Sequence, residues 1–239
     1  MKKINDLIIH IGMNRTGTTF LQKRVFPFLE GVNYIPLYLK NKYARNPFLQ
    51  KVDNNKTLIS NENFCFFTYY HDIDSDTKFY ASGEEILYRL KKCFPNARII
   101  FCTRNKDSWL RSVYNNLVKN GYAYDFEHFL EHVEYLDIDN FVKVLNELFD
   151  VFVYSFEDFV KDKKKVVSDI CSFIGVSVPD DIDYSIINYS YSDSLVKKLV
   201  KWNSLFFSDL NPDGFIKMPN SFMIFFRKIF SSMARINKK

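Results

Sequence analysis

No two cysteines in this sequence stand in a CxxC pair, and no apolar run approaches the roughly 18 to 20 residues of a membrane span. The four cysteines, Cys65, Cys93, Cys102 and Cys171, are scattered, each in or beside an apolar run. That reads as buried thiols in a reducing, cytoplasmic compartment rather than as a disulfide framework. The N-terminal MKKINDLIIHIGM has a short apolar stretch containing His10 and no small-residue cleavage site, so it reads as a strand and not as a signal peptide. There is no internal repeat, no low-complexity linker and no Asp-rich metal motif after a strand. Charge is also in small excess: the net value of +5, with no concentrated basic stripe, argues against a nucleic-acid partner. It suits a small polyanionic ligand.

What is present is a packed globule. Hydrophobic residues are 47% and aromatics 18% of 239 residues, enough for one sizeable core with appendages. Apolar, β-rich runs recur at 7–11, 32–35, 57–60, 98–103 and 151–155. Helical patterns lie between them at 17–29, 83–94, 107–120, 126–135 and 138–149, the second opening on a Ser82/Glu85 capping box. Apolar strands alternating with helices predict an α/β fold with a central, mostly parallel sheet flanked by helices in three layers. Ligands of such sheets sit beyond the carboxyl ends of the strands, which directs attention to the loops after residues 11, 60, 103 and 154. The main domain is expected over 1–207, ending in a helix near 194–207, with 208–239 as a tail. SFMIFFRKIFSSMARINKK in that tail mixes large apolar residues with Arg227, Lys228, Arg235, Lys238 and Lys239. It reads either as a basic amphipathic helix on a membrane surface or as a helix docked on the core.

The segment IHIGMNRTGTTFLQ at 9–22 has the outline of a phosphate loop. Gly12 and Gly17 would let the backbone curl, and the helix starting near Thr18 would add free N–H groups and its positive end. Thr16, Thr18 and Thr19 supply hydroxyls, and Arg15 supplies charge. The lysine that nucleotide hydrolases place after the second glycine is replaced by Thr18, which disfavours a kinase with a degenerate loop. His10, inside the first strand, is expected to be buried and hydrogen-bonded. His128 and His132, at i and i+4 without a third ligand, are expected to be solvated helix positions.

The run Arg15-Thr16-Gly17-Thr18-Thr19 resembles the 5′-phosphosulfate loop of the PAPS-dependent sulfotransferases, whose common form is Lys-Ser-Gly-Thr-Thr. RNKDSWLRSVYNNLV, following the strand RIIFCT, is similar to that family's 3′-phosphate motif, with Arg104 and Ser112 at the two binding positions and Tyr114 also fitting. Lys106 stands where the family usually has proline. VFVYSFEDFVKDKKKVVSDICSFIGV resembles the family's strand-Glu-Asp-helix-helix region. NYSYSDS followed by WN resembles a later segment of bacterial and carbohydrate-modifying members. Together these cover most of residues 7 to 207.

The resemblance implies a P-loop-like fold and transfer of a sulfuryl group from 3′-phosphoadenosine 5′-phosphosulfate (PAPS), without a metal. It also implies PAPS contacts from Arg15, Thr16, Gly17, Thr18, Thr19, Arg104 and Ser112, with Arg15 also stabilising charge on the transferred group. In the carbohydrate-modifying branch the base is a Glu beyond the third strand, which here is Glu62; His71 is the runner-up. The segments 36–56 and 64–82, with Tyr69 and His71, would line a groove for a glycan or glycolipid acceptor. A non-catalytic anion- or glycan-binding protein of the same fold is the alternative.

Overall fold

The structure is a computed structural model that describes residues 6–36, 56–61, 83–133, 137–185, 191–208 and 210–217. The chain folds as two compact units. The first holds the sheet. Its strands are β1 (Asp6–Gly12), β2 (Asn33–Pro36), β3 (Lys56–Ser60), β4 (Arg98–Thr103) and β5 (Asp150–Ser155). They lie in the order β2-β3-β1-β4-β5, and every pairing is parallel. Ile8, Ile9, Ile11, Leu58, Ile99, Ile100 and Phe101 are buried, as expected where helices flank a parallel sheet. The expected parallel α/β architecture is the observed one, with strand bounds within about one residue of those read from the sequence.

Helices α1 (Thr18–Phe20), α2 (Gly83–Cys93), α5 (Ile138–Leu148), α6 (Phe156–Lys161) and α7 (Lys163–Ile174) belong to the first unit. The segment expected as one helix over 17–29 changes its winding: α over Thr18–Phe20, π over Leu21–Val25 and 3-10 over Phe26–Phe28. Pro27, with no N–H to give, sits in the final tight turn. Asp137, Ser155 and Asp162 cap α5, α6 and α7 by accepting backbone N–H bonds, and Gly175 ends α7 in the left-handed region at φ 78°. At the amino ends of the strands, Arg98 forms a forked pair with Asp6, Nη2 lying 2.8 and 2.9 Å from the two carboxylate oxygens. The same guanidinium donates to the carbonyl of Phe173, and Lys56 Nζ donates to that of Gly175 at 2.9 Å. Two cations thus satisfy carbonyls that the end of α7 leaves open.

The second unit contains α3 (Lys106–Asn120), α4 (Phe126–His132) and α8 (Asp193–Asn203). α4 is shorter than expected, because Val133 is extended (ψ 122°). Asn203 is buried and donates from Nδ2 to the carbonyls of Val118 (2.7 Å) and Tyr122 (2.9 Å). Asn211, also buried, donates to those of Asn203 (2.9 Å) and Phe206 (2.8 Å). Two primary amides therefore close the irregular backbone around the ends of α3 and α8.

Of the cysteines expected to be buried, Cys102 and Cys171 are, but Cys93 is exposed at the last turn of α2; Cys65 lies outside the described residues. His132 is exposed, whereas His128 is half-buried. Its ring stacks on Tyr124 (4.3 Å) and His132 (4.2 Å), and its Nδ1 is 2.8 Å from the Tyr122 hydroxyl. It is therefore more engaged than a solvated helix position.

Candidate functional site

In the first unit, the sheet order makes β1 the switch point. The chain leaves β1 toward the β2 edge and leaves its neighbour β4 toward the β5 edge, so a crevice forms at the carboxyl end of β1 beside β4. The loop 13–17 lies there. Strand register brings other chain ends beside it: Gly12 pairs with Cys102 and Thr103 with Ser155, so Arg104 and Phe156 leave the same edge of the sheet. His10 pairs with Ser60, and Asn61 N–H donates to the His10 carbonyl at 3.0 Å, extending that edge to the residue before Glu62. Glu62, Tyr69 and His71 lie outside the described residues, as does Ser82 of the expected capping box.

The loop's curvature has a different origin from the one expected. Gly12 ends β1 and is not in the left-handed region; a Cβ there would meet Thr16 Oγ1 at 3.5 Å, an ordinary contact. Arg15 takes the turn instead, at φ 70°, followed by Gly17 at φ 81°. A left-handed non-glycine costs about 1 kcal/mol or more, and Arg15 is exposed. Gly17 is required on two counts, its φ and its surroundings: a Cβ would stand 3.0 Å from Phe159 Cε1.

The three threonines differ. Thr16 is buried, and its hydroxyl donates to the Met13 carbonyl at 2.6 Å, so its proton closes the loop. Thr18 is buried, and its Oγ1 has no hydrogen-bond partner among the described residues. A buried hydroxyl without a partner costs about 1–3 kcal/mol, a cost that an anionic oxygen at the mouth of the loop would relieve. Thr19 is half-buried.

Arg104 joins the two motifs. Its Nη1 donates to the Arg15 carbonyl at 2.6 Å, and its Cζ lies 4.3 Å from the centroid of the Phe156 ring. Burial lowers its pKa, the Glu157 carboxylate opposes that shift, and the Arg15 charge adds to it. Arginine stays charged regardless. Two guanidinium groups near one carboxylate therefore leave a local positive excess that favours a polyanion. Ser112 stands half-buried in α3, within the second unit. Tyr114, in the same helix, is buried; its hydroxyl donates to the Tyr124 carbonyl at 3.2 Å, and burial pushes its pKa up to about 12.

Cys102 flanks the loop, but burial pushes its thiol up to about 12, so it is no nucleophile. His10 is buried as expected, with Nδ1 2.7 Å from Ser60 Oγ. Gln22, on the π turn, donates to the same oxygen at 3.1 Å. Burial lowers the His10 pKa to about 3, so it is neutral at physiological pH. Among the described residues no group of three or more His, Cys, Asp or Glu could hold a metal, and no helix is long and apolar enough to cross a membrane.

Residues 56–180, just over half of the chain, match a family model described as the sulfotransferase family. No curated protein matches by direct sequence comparison. Among solved structures, a sulfotransferase from Alicyclobacillus acidocaldarius is similar at TM-score 0.57 and 19% identity, over 85% of this chain and 92% of that one. Mouse sulfotransferase SULT7A1 complexed with PAP is similar at TM-score 0.50 and 18% identity, over 84% of this chain and 65% of that one. At these identities the likeness is one of fold.

Proposed function

The chain belongs to the sulfotransferase family, and from that premise we propose that it moves a sulfuryl group from PAPS to a hydroxyl or amine of a glycan or lipid-linked sugar. The observation that carries the reading is the hydrogen bond from Arg104 to the Arg15 carbonyl. It links two short motifs, one suited to each end of a molecule with anionic groups at its 5′ and 3′ positions. The residues present fit PAPS: a buried hydroxyl in need of a partner at Thr18, a curled loop opening into a helix, and a positive excess at Arg15 and Arg104.

In this mechanism the loop amides of Gly17, Thr18 and Thr19 and the Thr18 hydroxyl hold the 5′-phosphate. Thr16 fixes the loop's shape, since its proton is committed to Met13. Arg15 brings a permanent charge to the bridging and equatorial oxygens as the bond to sulfur breaks. Because arginine does not give up its proton, it stabilises the leaving phosphate by charge and hydrogen bonding rather than by proton transfer. Arg104 and Ser112 take the 3′-phosphate; Arg104 presents a planar fork suited to it. Glu62 removes the acceptor's proton. Catalysis is then mainly positioning plus electrostatics, and none of these steps calls for a metal.

The catalytic domain in this reading spans 1–207. Tyr69 and His71 line the acceptor groove of a cytoplasmic enzyme, and the basic tail over 208–239 either lies on the inner face of the membrane or docks on the core. Support for the sugar acceptor is the likeness of the Glu62 position and of NYSYSDS to carbohydrate-modifying members. The test is transfer from labelled PAPS to a panel of surface polysaccharides and glycolipids. Label should appear on one acceptor class, and Glu62→Gln should lose turnover while still binding PAPS. No transfer to any acceptor, together with no PAPS binding, rejects the proposal.

A further inference from the structure

α6 begins directly after β5, and its first residues touch both the loop and the segment carrying Arg104. The Phe156 ring lies against the Arg104 guanidinium, with Cζ 4.3 Å from its centroid. Glu157 Oε1 accepts the Asn105 N–H at 3.2 Å. Phe159 Cε1 and Phe156 Cε2 come within 3.0 and 3.5 Å of where a Gly17 Cβ would stand. One short helix therefore contacts the glycine of the loop and the arginine at the end of β4.

We propose that Phe156 is a positioning residue for recognition of the donor's 3′-phosphate, acting through Arg104. This rests on the reading of Arg104 as the 3′-phosphate contact. A guanidinium is planar, with its donors along the edges and none on its faces. A ring this close to the guanidinium carbon restricts how the group can turn. Nη1 is then held on the Arg15 carbonyl, and the guanidinium keeps one orientation toward an incoming phosphate. An arginine free to rotate would lose that freedom on binding, which weakens affinity. The ring also excludes water from one side of the charge, which strengthens its pull on an anion.

Phe156 is half-buried, so changing it leaves the core intact. The test is calorimetric titration of the full chain with adenosine 3′,5′-bisphosphate and with adenosine 5′-monophosphate. Phe156→Leu should weaken the bisphosphate by about three- to ten-fold, the scale of a lost cation–π contact, and leave the monophosphate nearly unchanged. Phe156→Tyr, which keeps the ring, should restore wild-type affinity. Added to Arg104→Ala, Phe156→Leu should have no further effect. Equal weakening of both ligands, or an undiminished effect in the Arg104→Ala background, overturns the proposal, because the ring then acts without the arginine. A wild-type protein that binds neither nucleotide overturns the donor assignment beneath it, a result distinct from either of these.

Discussion

Arg104 Nη1 lies 2.6 Å from the carbonyl oxygen of Arg15, so the arginine that follows β4 is bonded to the left-handed residue of the loop that follows β1. The side chain assigned to the donor's 3′ end also holds the backbone at its 5′ end. Removing it should therefore harm both, unequally. Arg104→Ala is expected to weaken adenosine 3′,5′-bisphosphate by on the order of ten- to hundred-fold, as for loss of charge-assisted hydrogen bonds. The monophosphate should weaken only a few-fold, through the loosened loop. Titration with both ligands checks this, and equal weakening would remove Arg104 from the 3′-phosphate.

Arg15 occupies a backbone conformation that glycine adopts freely. Arg15→Gly should keep or raise the urea midpoint, by up to about 1 kcal/mol of relieved strain, while turnover falls sharply with the lost charge. A variant that is both less stable and fully active would mean that this strain has no catalytic counterpart.

His10 gives the fold an acid sensitivity. Burial lowers its pKa from 6.5 to about 3, so the unfolded chain takes up a proton that the folded one refuses. The stability this neutral histidine retains is present above pH 6.5 and lost as pH falls from there toward 3. Between pH 7 and pH 5 the loss should be roughly 2 kcal/mol. Urea unfolding across that range should show the slope in wild type and a flatter profile in His10→Gln. The same slope in both would place the acid sensitivity elsewhere.

Asn203 tests the second unit. Its amide satisfies two backbone carbonyls, at Val118 and Tyr122. Asn203→Ala removes both bonds, leaving the Val118 carbonyl with the Gly121 N–H, and should cost about 1–3 kcal/mol, read as a lower urea midpoint. A change within a few tenths of a kcal/mol would show that water replaces the amide without loss.

The sheet was legible in the sequence because its strands are almost wholly apolar and its helices are amphipathic. Runs such as RIIFCT offer no face for water, so burial on both sides follows. The loop was legible through Arg15-Thr16-Gly17-Thr18-Thr19, where a cation and three hydroxyls surround one glycine. Residue types alone did not reveal how the loop turns: any arginine can take a positive φ if its surroundings hold it there, and the bond from Arg104 does so across a separation of 89 residues. Phe156 was equally hidden. Its partnership with Arg104 depends on β4 and β5 ending in register at Thr103 and Ser155, which no local pattern encodes.

The central claim is that this scaffold binds a 3′-phosphorylated sulfuryl donor in place of a nucleoside triphosphate. Thermal unfolding of the wild-type chain with PAPS, and separately with ATP and Mg²⁺, tests it most directly. The account predicts a rise in Tm with PAPS alone, without metal, and none with ATP and Mg²⁺. A rise with ATP and Mg²⁺ and none with PAPS would contradict it.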